Sequence, residues 1–280
     1  MFSMLRQRLQ SGIIMGAALI AAAYWLPVSA VVVVFLAVCI VGLWEFYAFL
    51  DAAHIPHFKF IGLFGGVALI LTTALCMRHG VAGDAELSVL SVLTALIFLR
   101  QFPQKNNPRP LDTIAGTLMG ILYVPFLFNF FTKLFLAWGD HTGRLLVMYL
   151  IVVVKFTDIG AYFVGCAFGR HKLIPRISPA KTWEGCLGGA FTGVAASVVF
   201  YLCAGHHFTG LNLQLRDAIV LGLILATVGT VGDLTESLFK RAAGVKDSGH
   251  LILGMGGLLD VLDSLLFAAP ALYVYARFLL

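Results

Sequence analysis

The sequence predicts an all-α protein, a polytopic bundle of about nine helices that crosses a membrane. Of its 280 residues, 60% are hydrophobic and only 12% are charged, and the mean hydropathy is +0.94. A soluble domain carries about 25% charged residues, so this deficit indicates long apolar spans. The chain is therefore expected in a membrane, with the lipid bilayer as its first partner.

Nine apolar runs come close to the roughly 20 residues that a membrane-crossing helix needs. They are residues 12–26, 29–46, 60–77, 87–99, 114–135, 145–168, 183–204, 218–234 and 258–279. The runs at 12–26 and 87–99 are the shortest. The first follows Arg6 and Arg8 as a signal peptide would, but no clear cleavage site ends it, so we interpret it as a retained span.

The cations predict the orientation of these spans. If the N-terminus is cytoplasmic, only five of the 19 Lys and Arg residues fall on the outer side, and Lys155 falls within a span. The outer five are Arg78, Lys133, Arg144, Arg216 and Arg277. This bias follows the positive-inside rule and predicts a bacterial inner-membrane protein whose loops 169–182 and 235–257 face the cytoplasm. The net charge of +5 then reflects topology and lipid contact, so no nucleic acid is expected as a partner.

The acidic residues divide the chain into two parts. In the first 150 residues they are spread near predicted span ends, whereas almost all later ones lie in compact motifs. We therefore predict an N-terminal scaffold of membrane spans, residues 1–140. Residues 141–280 would form a C-terminal catalytic membrane region whose motif loops face the cytoplasm.

The first motif, in the sixth span, contains Lys155 and Asp158. A separation of three residues places both on one helix face, where they could neutralise each other. Ionisable groups inside membrane helices are rare and mostly functional, but a structural ion pair remains an equal alternative.

The second motif is the basic loop 169–182, which runs into the next span. Its last part contains Ser178, Lys181 and Thr182, and Glu184 opens the helix. Lysine and arginine supply positive charge, and a helix start supplies unpaired N–H groups, so the segment suits phosphate. An ordinary cytoplasmic loop would explain the cations but not the remaining pattern.

The third motif is polar and comes after the eighth span. If the helix continues past the membrane, Asp233, Glu236, Ser237, Lys240 and Arg241 recur at spacings of three and four residues and share one face. A solvated helix end with salt bridges would look the same. The glycines and aspartates further along the chain weaken that alternative.

The fourth motif begins with Lys246 and Asp247 and continues into glycines that include Gly256 and Gly257. Glycine-rich backbone can approach phosphate closely. The motif ends in two aspartates.

Asp260 and Asp263 are three residues apart at the start of the last span, so their carboxylates face the same way. They repel unless a cation lies between them, and hard oxygen ligands beside phosphate suit Mg²⁺. The alternative is that the two carboxylates only stabilise the N-terminus of the last helix, where negative charge is favoured. The preceding glycines and the upstream cations favour the metal.

Together these motifs predict phosphoryl or nucleotidyl transfer to a membrane-bound phosphate. Such transfers depend on positioning and charge neutralisation and need no strong nucleophile–base pair. A transporter would instead spread its charges through the midplane of several spans. A silent scaffold would be favoured by loss of the aspartates, which are present.

The motifs resemble those of the phosphatidate cytidylyltransferases, also called CDP-diacylglycerol synthases. That family's signature reads S-x-x-K-R-x4-K-D-x-G and then P-G-H-G-G-x-x-D-R-x-D. The matching residues are Ser237, Lys240, Arg241, Lys246, Asp247, Gly249, Gly254, Gly256, Gly257, Asp260 and Asp263. The upstream elements D-x-G-A-Y and S-P-x-K-T-x-E-G match from Asp158 and from Ser178, so the close match covers about residues 155–265.

The resemblance implies a dimeric, all-α membrane enzyme that transfers a cytidylyl group from CTP to phosphatidic acid, releasing pyrophosphate. It implies Mg²⁺ held by Asp260 and Asp263 with Asp233, with a second cation left open. The implied catalytic residues are Lys240, Arg241, Asp247, Asp260 and Asp263. The implied substrate-binding residues are Ser178, Lys181, Thr182, Glu184, Ser237, Lys246, Gly256 and Gly257.

The chain departs from the family pattern at four positions. Leu253 replaces a usual Pro, Met255 a His and Val261 an Arg, and Lys155 replaces a common Trp. We expect retained activity because the carboxylates and the Lys240–Arg241 pair are present. Two alternatives stay open: another lipid phosphate as acceptor, and a weakly active or inactive paralogue.

Overall fold

The computed structural model describes residues 24–80, 84–105, 107–245, 249 and 256–280, and this part of the chain is almost entirely helical. The helices are α1 (Val28–Ala52), α2 (Lys59–Arg78), α3 (Ala85–Leu99), α4 (Pro110–Ile121), α5 (Leu127–Leu136), α6 (Gly139–Phe168), α7 (Trp183–Ala204), α8 (Leu215–Ala242) and α9 (Leu259–Phe278). A π-helical turn, Leu122–Phe126, joins α4 to α5, and a 3-10 turn, Gly205–His207, follows α7.

Seven helical segments of the described chain are long and apolar enough to cross a membrane, with α4, the π turn and α5 forming one of them. Helix α3 has 15 residues, which is short of the roughly 20 needed to cross a bilayer unaided. The polytopic helical bundle predicted from the sequence is thus confirmed. The span predicted at 12–26 lies almost wholly outside the described residues, so the total of nine stays a prediction.

Several helices extend beyond the apolar runs that predict them. Helix α6 begins at Gly139 rather than at residue 145, and α8 continues to Ala242 rather than ending at residue 234. Hydropathy marks the part of a helix that lies in the hydrocarbon core, whereas the helix itself continues into the polar interface. For α8, the extension meets the condition under which the sequence predicted a polar face from Asp233 to Arg241.

Local sequence explains where the helices begin. Pro110 occupies the first turn of α4, where its missing N–H group has no role. Thr182 caps α7 through its side chain, and Gln214 and Asp217 form a reciprocal capping box at α8. Pro125 lies inside the π turn, which interrupts the span at the residue that cannot donate a backbone hydrogen bond.

One element departs from the all-α prediction: the basic loop contains an antiparallel hairpin. Strand β1 is Lys172–Ile174 and β2 is Ser178–Thr182, with Lys172 paired to Thr182. The strands have only three and five residues, and β2 contains Pro179. They therefore lack the alternation of apolar and polar residues by which strands are recognised in sequence.

The buried core joins helices from both halves of the chain. Helix α7 packs against α6 and α8, and α8 packs against α9. The ring of Phe239 on α8 lies 5.6 Å from that of Phe46 on α1 and 4.9 Å from that of Tyr123 in the π turn. The division near residue 140 stays a prediction. On the outside, large apolar side chains such as Phe64 and Phe191 are exposed, as lipid contact requires.

Candidate active site

The charged residues of the predicted site converge at one end of the bundle. The hairpin, the C-terminal end of α8 and the N-terminal end of α9 meet there. The cations predicted for the other side lie at the opposite helix ends: Arg216 is in the first turn of α8, and Arg277 is in the last turn of α9. These two cations are therefore separated from the charged end of the bundle by the length of a helix.

Lys181 on β2 connects the hairpin to α8. Its Nζ lies 2.7 Å from Oδ2 of Asp233 and donates a longer hydrogen bond, 3.4 Å, to the carbonyl of Thr230. Nearby, Nε of Arg241 donates to the carbonyl of Ile177 at 3.3 Å. The second and third motifs, which are distant in sequence, are thus brought together.

Lys240 connects α8 to α9. Its Nζ lies 2.6 Å from Oε2 of Glu236 and 2.7 Å from Oδ1 of Asp260. The other oxygen of Asp260 accepts a 2.6 Å hydrogen bond from the N–H of Gly257. Glu236 is completely buried, and its Oε1 has no hydrogen-bond partner among the described residues. One ammonium group therefore holds two carboxylates in a largely water-free position.

Asp263 lies one turn further into α9 and is only 6% exposed. Its Oδ1 accepts a hydrogen bond from the N–H of Ser264. The carboxylate also interacts electrostatically with Asp233, Lys155 and Asp158. Asp263 lies near these residues because α8 and α9 approach each other closely. A Cβ atom on Gly232 would lie 2.5 Å from the carbonyl oxygen of Asp263, so only glycine fits at this position.

Lys155 and Asp158 form the ion pair that their spacing predicted, with 3.3 Å between Nζ and Oδ2. The same Nζ donates a 3.0 Å hydrogen bond to the carbonyl of Val261 on α9. Val261 is the buried position where the family resemblance has an arginine. The ammonium group of Lys155, on α6, thus lies beside the position at which the family has a cation on α9.

These residues form what we call the charged cluster. It consists of Asp158, Asp233, Glu236, Asp260 and Asp263 with Lys155, Lys181 and Lys240. Among the described residues, the charged cluster thus holds more carboxylates than ammonium groups.

The donors of the charged cluster fit Mg²⁺ in type, because hard cations prefer carboxylate oxygens. The unpaired Oε1 of buried Glu236 also indicates a missing positive partner. Within the described residues, however, no three acidic, histidine or cysteine side chains converge on one point. Lys181 and Lys240 hold Asp233 and Asp260 instead.

Glu184 and Thr182 are engaged in folding the hairpin onto α7. Glu184 accepts hydrogen bonds from the backbone N–H groups of Arg170 and His171, both at 3.2 Å, and lies 2.6 Å from Nδ1 of His171. Oγ1 of Thr182 accepts the N–H of Gly185 at 3.1 Å. Substrate contacts for both stay predictions. The contact of Glu184 with His171 was not predicted, because it depends on the hairpin.

The serines and glycines predicted to bind substrate lie on the same elements as the charged cluster, on β2, on α8 and directly before α9. Ser237 Oγ lies 3.5 Å from Oδ1 of Asp233, and Ser178 begins β2 half-buried. Gly256 has a φ of +95°, a left-handed conformation that glycine adopts without strain, directly before Gly257 and α9.

Lys246 and Asp247 lie outside the described residues, as do Leu253 and Met255. Their predicted roles and the effects of the two substitutions therefore stay predictions.

Glu45 on α1 was not among the predicted site residues. It is 4% exposed, its Oε1 accepts the N–H of Leu258 at 3.0 Å, and its Oε2 accepts the N–H of Leu259 at 2.7 Å. A carboxylate from the N-terminal half thus caps the helix that carries Asp260 and Asp263. The available signal was an acidic residue inside the apolar run 29–46.

Comparison with known proteins identifies the family. The fold and the charged cluster define a membrane protein with an ionic site at one end of its helical bundle. The family model for the cytidylyltransferase family matches residues 6–279, and the chain belongs to this family. The resemblance drawn from the motifs is confirmed.

Two curated relatives cover most of the chain. The "Phosphatidate cytidylyltransferase" of Haemophilus influenzae is 33% identical over 295 residues, which cover 99% of this chain and 100% of the relative. The protein of the same name from Staphylococcus haemolyticus is 34% identical over 213 residues, covering 76% and 78%. The "Uncharacterized protein YnbB" of Escherichia coli is 42% identical over 136 residues, covering 49% and 44%.

Proposed function

We propose that the protein transfers a cytidylyl group from CTP to phosphatidic acid and so forms CDP-diacylglycerol and pyrophosphate. The observation that carries this proposal is the convergence of Lys181 and Lys240 with the carboxylates of Asp233, Asp260 and Asp263 at the end of an apolar bundle. Membership of the cytidylyltransferase family and the names of its full-length relatives support the same reaction.

The proposed reaction is a substitution at the α-phosphorus of CTP. A phosphate oxygen of phosphatidic acid forms a new bond to this phosphorus, and the bond from the phosphorus to the oxygen bridging to the β-phosphate breaks, releasing pyrophosphate. Negative charge is spread over the phosphate oxygens during such a transfer, so catalysis consists mainly of positioning and neutralisation. Lys181, Lys240 and Arg241 are the cations at hand for the phosphate oxygens.

The two lysine pairs suggest how the site accepts its substrates. Lys181 and Lys240 neutralise Asp233 and Asp260. When phosphates arrive, each lysine can donate to a phosphate oxygen, which leaves its carboxylate available to a metal ion. This exchange avoids a stage at which buried charges lie unpaired.

Asp233, Asp260 and Asp263 are the residues proposed to hold Mg²⁺, with a second cation as an option. When bound, Mg²⁺ would supply positive charge to the phosphate oxygens. Lys155 and Asp158 adjoin this position and would orient the start of α9 through the carbonyl of Val261 rather than contact substrate directly.

We place the site on the cytoplasmic side of a bacterial inner membrane, in a homodimer. The bias of the cations supports this orientation, and CTP is a soluble cytoplasmic nucleotide. The acceptor phosphate would reach the same position from the lipid headgroup layer. The dimer rests on the family resemblance alone.

The test is a comparison of acceptors with the purified, detergent-solubilised protein. CTP labelled at the α-phosphate and Mg²⁺ would be supplied with phosphatidic acid, with a polyprenyl phosphate, or with neither. We expect label in a lipid product with phosphatidic acid only. Label in the polyprenyl product alone would assign the other acceptor, and no label in either lipid would contradict the proposal.

A further inference from the structure

Glu45 makes a contact that no local sequence pattern indicates. Its two carboxylate oxygens accept the backbone N–H groups of Leu258 and Leu259, which lie 213 and 214 positions further along the chain. Glu45 is nearly fully buried. A membrane-embedded carboxylate from α1 is therefore fixed at the first turn of α9.

The position is electrostatically favourable. The first N–H groups of a helix have no partner within it, and the helix dipole adds partial positive charge at this end. Asp260 accepts the N–H of Gly257, one residue earlier. With Glu45 removed, the N–H groups of Leu258 and Leu259 would be free to attract the Asp260 carboxylate or a substrate phosphate.

Gly249 provides an independent observation on the same carboxylate. A Cβ atom at this position would lie 2.8 Å from Oε1 of Glu45 and 3.4 Å from Cα of Gly257. Contacts below 3.0 Å require one of the groups to move. Glycine at 249 thus leaves room for the Glu45 carboxylate, so a glycine of the fourth motif packs against a carboxylate of the protein.

We propose that Glu45 is a positioning residue of the transferase. It lies against Gly249 and fixes the start of α9, and through α9 it sets the positions of the Asp260 and Asp263 carboxylates. This inference rests on the proposed function for its kinetic consequences. It also makes α1, from the predicted scaffold half, part of the catalytic apparatus.

The test uses Glu45→Gln and Gly249→Ala in the full-length protein. Glutamine presents one acceptor oxygen where glutamate presents two, and an alanine methyl displaces the carboxylate. Because small displacements of reacting groups can cost on the order of 100-fold, we expect kcat to fall about 10- to 100-fold in either variant, with little change in KM for CTP. Mn²⁺ affinity, followed by electron paramagnetic resonance without substrate, should weaken in parallel.

The matched control is Glu86→Gln. Glu86 is also a largely buried carboxylate, but it pairs with Lys133, which lies near the end of α5 opposite the charged cluster. Its substitution should leave kcat and Mn²⁺ affinity within about twofold of the wild type, as for a site that shares no partners with the cluster. Thermal unfolding would be measured for all variants so that rates refer to folded protein.

A double variant separates positioning from a general loss of fold. If Gly249→Ala acts by displacing Glu45, adding it to Glu45→Gln should produce no further loss, because the two changes share one interaction. Multiplying effects would overturn the inference. So would wild-type kcat and Mn²⁺ affinity in Glu45→Gln accompanied only by a lower unfolding temperature, since that describes a purely structural cap.

Failure of the proposed function would be recognised separately. Absence of transfer in the wild type and in Glu86→Gln would refute the activity but not the positioning. In that case amide hydrogen exchange decides: faster exchange at Leu258 and Leu259 with weaker Mn²⁺ binding in Glu45→Gln would support the inference, and unchanged values would overturn it.

Discussion

The ammonium group of Lys181 lies 2.7 Å from the carboxylate of Asp233, and this pair fastens the hairpin to α8. The family resemblance implied that Lys181 binds phosphate and that Asp233 binds metal. It did not imply that the two side chains are in contact. Their contact means that each neutralises the other, and the proposed function has substrate and metal replace the pair. The same relation holds between Lys240 and Asp260.

Lys181→Met is expected to reduce kcat by about 10²- to 10³-fold, the usual effect of removing one preorganised group that stabilises developing charge. Asp233→Asn should reduce kcat similarly, because it removes a proposed metal ligand. The measurement is steady-state CDP-diacylglycerol formation by purified variants.

Lys133→Met is the control for this prediction. Lys133 is also paired with a carboxylate, at 2.6 Å from Glu86, but it lies at the other end of the bundle. Its rate per folded molecule should match the wild type. A Lys181→Met variant as active as this control would show that Lys181 does not bind a reacting phosphate.

Lys240→Met should unfold the protein more easily as well as inactivate it. Glu236 is completely buried, and breaking a buried ion pair by removing one partner costs about 3–5 kcal/mol. Adding Glu236→Gln should restore much of the thermal stability, since the unpaired charge is gone, without restoring turnover. A double variant that is as unstable as Lys240→Met would refute this account of the stability loss.

Lys155→Met is expected to slow turnover about 10- to 100-fold, because a hydrogen bond from a charged donor is worth about 1.5–3 kcal/mol. The lost interaction is the 3.0 Å hydrogen bond to the carbonyl of Val261. Lys155→Arg keeps the charge and should retain more activity than Lys155→Met. Equal activity of the two variants would show that the ammonium charge is not needed beside α9.

Removal of divalent cations should stop transfer without unfolding the protein. The charged cluster retains three lysines for five carboxylates, and two of these lysines already pair with Asp233 and Asp260. We therefore expect activity to vanish with a chelator and to return with added Mg²⁺, while the thermal unfolding temperature changes little. Undiminished transfer in the chelator would contradict the metal assignment.

The parts of the fold that were predictable depend on local spacing. The apolar runs predict the spans, and the three-residue separation of Lys155 and Asp158 predicts their ion pair. The polar face of α8 beyond the membrane was likewise predictable from spacings of three and four residues.

The unpredicted parts depend on contacts between distant segments. The bond of Glu45 to the start of α9 joins opposite ends of the chain, and periodicity carries no information about such pairs. The hairpin is stabilised by Glu184 and by links to α8 rather than by strand propensity, so it left no strand pattern. Similarly, the pair of Lys240 with Asp260 depends on the approach of α8 to α9, and the pair of Lys181 with Asp233 depends on the position of the hairpin.

The most direct test of the central claim compares Asp263→Asn with Asp217→Asn and the wild type. Both aspartates are 6% exposed, but Asp217 caps the opposite end of α8 and bonds to Tyr275. CDP-diacylglycerol and pyrophosphate would be quantified after incubation with CTP, phosphatidic acid and Mg²⁺. We predict equimolar products from the wild type and Asp217→Asn and none from Asp263→Asn. Near-normal turnover by Asp263→Asn would contradict the claim that the charged cluster is the site of cytidylyl transfer.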